Sequence, residues 1–217
     1  MNLYFSPLAC SLATRIALYE AGAPAQFTQV DTRTKRVADG SDFLEITPMG
    51  QVPALVTDDA AVLTENTAVL QYVADRFPQA HLAPPGGRAR ARLQQWLGFI
   101  GTEIHKAIFI PLLDPRANDA VKAYARDKIA LRMDVLQKRL AESDFLLDQF
   151  SVADAYLVTV LNWAAFTGVD LTRWAAVRGY FERLQKRPSI ARAFSEEMTL
   201  YRNAQARQAA APQSADQ

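Results

Sequence analysis

The chain has 217 residues, of which 50% are hydrophobic and 22% are charged, with a formal net charge of +1. This composition is typical of a globular protein with one large or two small domains. The near-zero charge gives no electrostatic case for nucleic acid or an anionic membrane, so we expect neither as a partner. We also expect no apolar run to approach the ~18 residues that span a bilayer.

The first eighty residues alternate between strand-like and helix-like patterns. Their order predicts a small mixed sheet with helices packed on it, because strands and helices of this size bury their apolar faces against each other. The predicted strands cover residues 2–5, 27–31, 53–57 and 61–63, and the predicted helices cover 11–22 and 66–77.

After Pro78 the pattern becomes almost entirely helical, which predicts a helical bundle. A proline- and glycine-rich break at 82–87 is the best boundary between two domains. The last residues lack large apolar side chains, so we expect a frayed tail. The predicted organisation is therefore an α/β domain over 1–80, a linker over 81–87, an all-helical domain over 88–203 and a disordered tail over 204–217.

The single cysteine, Cys10, stands between the first strand and the first helix. It cannot form an internal disulfide, and we expect a reducing, cytoplasmic location in which an unpaired thiol persists. The free amides at a helix start stabilise a nearby thiolate, which favours a chemical role. A free cysteine is also often a small buried hydrophobe, so placement alone leaves both interpretations open.

Two turns offer binding groups, each with a simpler structural explanation. Pro53 at the entry to a strand would leave the Val52 backbone free for an extended ligand if Val52-Pro53 were cis, but the residues alone favour a trans turn. Glu65 and Asn66 at a helix start are suited to an α-amino acid head group. The free amides of the helix start can bind the carboxylate of such a ligand, and the Glu65 carboxylate can pair with its ammonium group. Ordinary capping by Thr64 or Asn66 is the favoured alternative.

The helical segment 96–107 has two unlike faces. Trp96, Ile100, Ile104 and Ala107 form a core stripe, whereas Gly98, Gly101, Thr102, His105 and Phe109 lie on another face. Glycine weakens a helix, so this hollowed face indicates close approach of another element or of a ligand, with His105 placed to contact it. The chain has only two histidines, and we expect no metal site. Farther along, Ser151 and Asp154 predict a structural capping box.

Taken in this order and spacing, the motifs resemble those of the cytosolic glutathione transferases, most closely the bacterial beta class. The resemblance covers nearly the whole chain, from Met1 to about Leu200. The segments that carry it are Leu3-Tyr4 to Cys10-Ser11-Leu12, 48–55 around Val52-Pro53, 63–66, 71–75, 103–106 and 151–156. It implies a thioredoxin-like N-terminal domain, an all-helical C-terminal domain and a homodimer.

The resemblance also implies roles for individual residues. Cys10 would face the sulfur of glutathione, with His105 and Lys106 across the cleft. Val52-Pro53 would be a cis-proline turn that pairs with the cysteinyl unit, while Glu65 and Asn66 would receive the γ-glutamyl group. The remaining implied contacts are Lys35 to the glycyl carboxylate and Glu103 to the ligand of the partner subunit.

The sequence departs from the pattern of this family at two positions. Position 66 is often Ser or Gly in relatives, and Gly98 stands where they often carry an Asn that contacts the ligand, so we expect a wider cleft here.

The expected activity is conjugation of glutathione to small hydrophobic electrophiles. The alternative is glutathione-dependent thiol-disulfide exchange, peroxide reduction or dehalogenation, with Cys10 forming a mixed disulfide; a non-catalytic binding protein is a third interpretation. The residues that we expect in the electrophile pocket are Leu8, Phe109, Ile110 and Trp163.

Overall fold

The computed structural model describes the chain from residue 1 to residue 210. Its N-terminal part is a mixed five-stranded sheet in the order β3-β2-β1-β4-β5. The central strand pairs in parallel with β2, placing Leu3 beside Phe27, and antiparallel with β4, placing Leu3 beside Leu55. The strands are β1 (Asn2–Phe5), β2 (Gln26–Asp31), β3 (Arg36–Val37), β4 (Ala54–Val56) and β5 (Val62–Leu63).

The sheet confirms the predicted thioredoxin-like fold class, with one strand that the sequence pattern does not show. The β3 strand has only two residues, which is too short for an alternating pattern. Two helices complete this part, α1 (Leu12–Glu20) and α2 (Asn66–Arg76). Helix α1 is central to the molecule, because it packs against α2 on one side and against the C-terminal helices on the other. Every residue from Leu12 to Leu18 is consequently buried, Arg15 included.

The C-terminal part is all-helical, as predicted. Helix α3 (Gly87–Phe99) continues as a wider π-helical segment (Ile100–Phe109) and ends in α4 (Ile110–Leu113). The following helices are α5 (Asp119–Asp127), α6 (Ile129–Ala141), α7 (Val152–Leu161), α8 (Ala164–Thr167), α9 (Ala175–Leu184) and α10 (Pro188–Ala210). Helix α7 is buried along its whole length, and Ser151 and Asp154 form the predicted capping box at its start.

The continuous helical run Gly87–Leu113 corrects the expectation that no segment could span a membrane. By length and composition this run of 27 residues is apolar enough to do so. One face of the run packs in the protein, since 33% of its most apolar window is buried. Leu93, Leu97, Ile100 and Ile104 are the residues of this face that are fully or almost fully buried against the protein core. The core helix of a globular protein passes the same test of length and composition.

The C-terminal helix is longer than the sequence predicted. Helix α10 runs on to Ala210, so residues 204–210 are helical although a frayed tail was expected from 204. The segment 204–210 is rich in Ala, Gln and Arg, which are strong helix formers even without an apolar face. The rest of the predicted tail, 211–217, lies outside the described residues.

Candidate active site

A cleft of about 620 Å³ lies between the sheet and the helical run Gly87–Leu113. Most of its lining comes from three groups of residues: the start of α1, the turns before β4 and α2, and the wider part of the long helix. Lys35, from the turn between β2 and β3, and Tyr156 on α7 also line it. Eight of the nine predicted site residues are among them, namely Cys10, Lys35, Val52, Pro53, Glu65, Asn66, His105 and Lys106. Glu103 is not.

The Cys10 side chain is partly buried on the floor of this cleft, where its thiol donates a hydrogen bond to the Val52 carbonyl at 3.2 Å. Burial raises the pKa of the thiol to about 11, against the opposing effects of Lys106 and of the backbone amides of Cys10 and Ser11. The helix-start amides therefore act in the predicted direction but are outweighed by desolvation. Cys10 is a neutral S–H donor at ordinary pH.

The turn that supplies the hydrogen-bond partner of Cys10 contains a cis peptide bond between Val52 and Pro53, in place of the trans turn that the residues alone favoured. Lys35 reaches the same turn and donates to the Gly50 carbonyl at 2.8 Å. Gly50 has a φ of +55°, and a Cβ there would lie 2.8 Å from the Lys35 Cδ and 2.9 Å from the Leu44 Cδ2. Glycine at this position lets the lysine stem lie close along the turn.

Glu65 immediately precedes α2 in an unusual backbone conformation, with φ +63° and ψ 116°. Its side chain is exposed in the cleft, and no side-chain hydrogen bond from it caps the helix. Asn66 is turned inward: its Nδ2 donates to the Cys10 carbonyl at 3.1 Å, and its Oδ1 accepts from the Thr14 hydroxyl at 3.3 Å. The side chain of Asn66 thus ties the start of α2 to the residue that carries the thiol.

His105 lies in the π-helical wall of the cleft and is 5% exposed. Its Nδ1 is 2.6 Å from the hydroxyl of Tyr156 on α7, and its ring contacts Trp163 edge-on with centroids 4.9 Å apart. Burial, with a smaller effect of Lys106, lowers the pKa of His105 to about 4. The imidazole is therefore neutral at ordinary pH, which suits a hydrogen-bond donor or acceptor better than a cation.

Four residues expected at the cleft are not part of its lining. Glu103 lies next to the cleft residue Thr102, but its carboxylate pairs with Arg132 on α6 at 2.5 Å. Within the described residues it makes no contact with the cleft floor, and its expected role toward a partner subunit remains a prediction. Among the four expected electrophile-pocket residues, Ile110 lines the cleft, whereas Leu8, Phe109 and Trp163 are buried core residues.

A polar clamp from the helical part holds the loop in front of Cys10. Leu8 has a φ of +61°, its N–H donates to Glu197 Oε2 at 2.7 Å, and its carbonyl accepts from Trp163 Nε1 at 2.8 Å. Glu197 is fully buried beside the Arg15 guanidinium, with Nε and Oε1 3.0 Å apart. Burial raises the pKa of Glu197 to about 8, and Arg15 opposes that rise.

Sequence reasoning gave no role to Tyr156 or Glu197. Tyr156 lies on a helix that is buried along its whole length, and Glu197 lies 189 residues from Leu8 along the chain. The only signals were the polar atoms themselves: a buried carboxylate or phenol almost always has a partner. Among the residues that the structure describes, no three His, Cys, Asp or Glu side chains converge as a metal site.

Comparison with known proteins agrees with this geometry. Residues 9–76 match the model of the glutathione S-transferase N-terminal domain, and residues 102–188 match that of the C-terminal domain. Over 91% of this chain and 98% of the relative, the sequence is 37% identical to glutathione S-transferase GstA of Escherichia coli O157:H7.

Solved structures extend the likeness to the fold. A sphingomonad glutathione S-transferase in complex with glutathione has a TM-score of 0.87 at 42% identity, over 91% of this chain and 98% of that one. The beta class enzyme of Sphingomonas chungbukensis gives the same TM-score, identity and coverage. The chain therefore belongs to the glutathione S-transferase family, and its structural neighbours include a bacterial enzyme of the beta class.

Proposed function

We propose that the protein conjugates glutathione to small hydrophobic electrophiles in this cleft. The observation that carries the proposal is the neutral Cys10 thiol on the cleft floor, with His105 in the facing wall. The charged side chains of Lys35, Glu65 and Lys106 line the same cleft. A neutral S–H donor stabilises a neighbouring thiolate without competing with it as a second anion. The glutathione sulfur is thus the nucleophile, and Cys10 assists it.

The charges around the cleft complement those of glutathione, which carries two carboxylates and one ammonium group. Lys35 and Lys106 are the cations of the lining, and Glu65 is its exposed anion. Lys35 receives the glycyl carboxylate, and Glu65 receives the γ-glutamyl ammonium. The first amides of α2 at Asn66 are free to bind the γ-glutamyl carboxylate, as helix N-termini bind anions. The Val52 backbone pairs with the cysteinyl unit, and Pro53 holds the turn.

The reaction needs one bond to form and one to break. Bound glutathione loses its thiol proton to solvent, and the thiolate attacks an electrophilic carbon. When the electrophile is an aryl halide, the new C–S bond replaces the carbon–halogen bond and halide leaves with the electron pair. Hydrogen bonds from Cys10 and His105 stabilise the thiolate before the attack.

The raised pKa of Cys10 favours conjugation over thiol-disulfide exchange. Only a thiolate attacks a disulfide, and a thiol with a pKa of about 11 is almost entirely protonated at neutral pH.

We also propose a cytoplasmic homodimer, in which Glu103 lies toward the ligand of the partner subunit. The single free cysteine and the family membership support this proposal.

Initial rates of conjugation to an aryl halide test the proposed function. Removing the charge of the ammonium partner with Glu65→Gln should raise the KM for glutathione about tenfold, since a hydrogen bond between charged groups contributes about 1.5–3 kcal/mol. Glu142→Gln, on the exposed end of α6, is the matched control and should leave the KM unchanged. A wild-type protein that neither binds immobilised glutathione nor conjugates it would overturn the proposal.

A further inference from the structure

We propose that Tyr156 is a positioning residue for the reaction, which fixes His105 in the tautomer that carries its proton on Nε2. The inference rests on the proposed function, because its consequence is a second hydrogen-bond donor to the glutathione sulfur. It follows from one contact, the 2.6 Å distance between the Tyr156 hydroxyl and His105 Nδ1, and from the groups around that contact.

The protonation states of the two residues follow from their surroundings. His105 is neutral, so its ring has a single N–H to place on Nδ1 or on Nε2. Tyr156 is buried, and both burial and the nearby Cys10 and Glu65 raise its pKa. The phenol therefore keeps its proton, and the short contact with Nδ1 requires one of the two groups to donate.

The surroundings of the Tyr156 hydroxyl determine which of them donates. Tyr156 is 2% exposed, and among the residues that the structure describes its hydroxyl has one hydrogen-bond partner, His105 Nδ1. If the imidazole donated that hydrogen bond, the phenol proton would be buried without an acceptor, which is unfavourable. The phenol therefore donates to His105 Nδ1. The imidazole proton is then on Nε2.

This tautomer presents a donor to the cleft. His105 lines the cleft, and its Nε2 has no hydrogen-bond partner among the described residues and is not sealed from solvent. The Tyr156–His105 hydrogen bond thus leaves an N–H on the cleft wall that faces Cys10.

Nitrogen NMR of the full chain labelled with ¹⁵N-histidine reads the tautomer directly. The protein has two histidines, and His81→Asn assigns their signals, with Asn chosen because residue 81 has a φ of +52°. We expect a protonated Nε2 and an unprotonated Nδ1 for His105 in the wild type, and a mixture of tautomers in Tyr156→Phe. A protonated Nδ1 in the wild type, or an unchanged tautomer in Tyr156→Phe, would overturn the inference.

Kinetics separate this role from a merely structural one. Tyr156→Phe retains the ring, so we expect kcat to fall about tenfold with the KM for glutathione changed less than about twofold. His105→Gln places an amide N–H near the position of Nε2, whereas His105→Asn mimics Nδ1, so Gln should retain several-fold more kcat than Asn. Equal rates for these two variants would contradict the inference. Absence of any conjugation by wild type would overturn the proposed function alone, since the tautomer is measured without glutathione.

Discussion

The Cys10 thiol donates its proton to the Val52 carbonyl at 3.2 Å, so the two groups that lie nearest the expected glutathione sulfur are already hydrogen-bonded to each other. Burial holds the thiol in its neutral form, with a pKa of about 11. When the cysteinyl unit of glutathione pairs with the Val52 backbone, the S–H can turn to the incoming sulfur. We therefore expect Cys10 to act as a hydrogen-bond donor rather than as a nucleophile.

Substitution of Cys10 distinguishes these two roles. We expect Cys10→Ala to lower kcat/KM for aryl-halide conjugation about 10-fold or more, since a hydrogen bond to a charged group contributes about 1.5–3 kcal/mol. Cys10→Ser keeps a donor at the same position and should retain several-fold more activity than Cys10→Ala. Steady-state rates at saturating electrophile check the order of the three proteins. Full activity of Cys10→Ala would show that the thiol does not assist conjugation.

The neutral state of His105 predicts the pH dependence of conjugation. A free histidine titrates near pH 6.5, but burial lowers the pKa of His105 to about 4, so its charge does not change between about pH 5 and pH 8. We expect the pH profile of kcat/KM to lack a histidine limb in this interval and to have the same shape in His105→Gln. An inflection near pH 6.5 that disappears in His105→Gln would contradict a neutral imidazole.

The Leu8–Glu197 clamp predicts a stability that falls as pH rises. The folded protein keeps the Glu197 proton up to a pKa of about 8, whereas the ordinary pKa of a glutamate is 4.5, so folding binds a proton between these two pH values. The free energy of unfolding contributed by this group is complete below pH 4.5 and is lost as pH rises to about 8. Urea unfolding at several pH values should show a free energy of unfolding that falls between pH 4.5 and about 8 in the wild type. The Glu197→Gln variant should lack this contribution to the pH dependence.

A second variant tests the hydrogen bond itself. Glu197→Gln keeps an acceptor for the Leu8 N–H, whereas Glu197→Met leaves that buried donor unpaired at a cost of about 1–3 kcal/mol. We expect Glu197→Met to be less stable than Glu197→Gln by this amount and to lose conjugation activity as well, because Leu8 precedes Cys10 by two residues. Equal stability of the two variants would show that Leu8 does not depend on the carboxyl group.

Gly98 offers a test of the widened cleft. It lies in α3 with no heavy atom within 4 Å of a Cβ built there, and its φ is not positive. Gly98→Ala should therefore stabilise the protein by up to about 1 kcal/mol, the difference in helix propensity. Gly98→Asn should fit equally well, and it adds a polar side chain to the cleft that lowers the KM for glutathione. Thermal unfolding and the two KM values check these results; a destabilised Gly98→Ala would mean that the glycine is needed by the fold.

The local pattern of the sequence was enough to predict most elements, whereas the residues around the cleft were expected from the resemblance to a family. The alternation in 2–5 and the helical spacing in 66–77 correspond to β1 and α2, because both patterns reflect burial of one face. The motif around Val52-Pro53 and the position of Cys10 located two walls of the same cleft. These features are short-range, so the residues near each of them carry the information.

What could not be predicted depends on contacts between distant residues. The pKa of Cys10 follows from how much protein covers it, and no local feature of 6–16 reports that burial. The Tyr156–His105 contact joins residues 51 positions apart, and the Leu8–Glu197 contact joins residues 189 apart. Phe109 and Trp163 are aromatic residues of a type found both in ligand pockets and in hydrophobic cores. The structure shows that both are buried in the core.

The most direct test is to measure the pKa of glutathione bound in the cleft. The ultraviolet absorbance of the thiolate, recorded as a function of pH, gives this pKa. The Cys10 thiol, which is the only one in the chain, titrates too high to interfere, because its pKa is about 11. We predict that bound glutathione titrates with a pKa clearly below that of free glutathione, and that Cys10→Ala moves this pKa back toward the free value. A bound glutathione that titrates like the free tripeptide would contradict a cleft built to hold the thiolate.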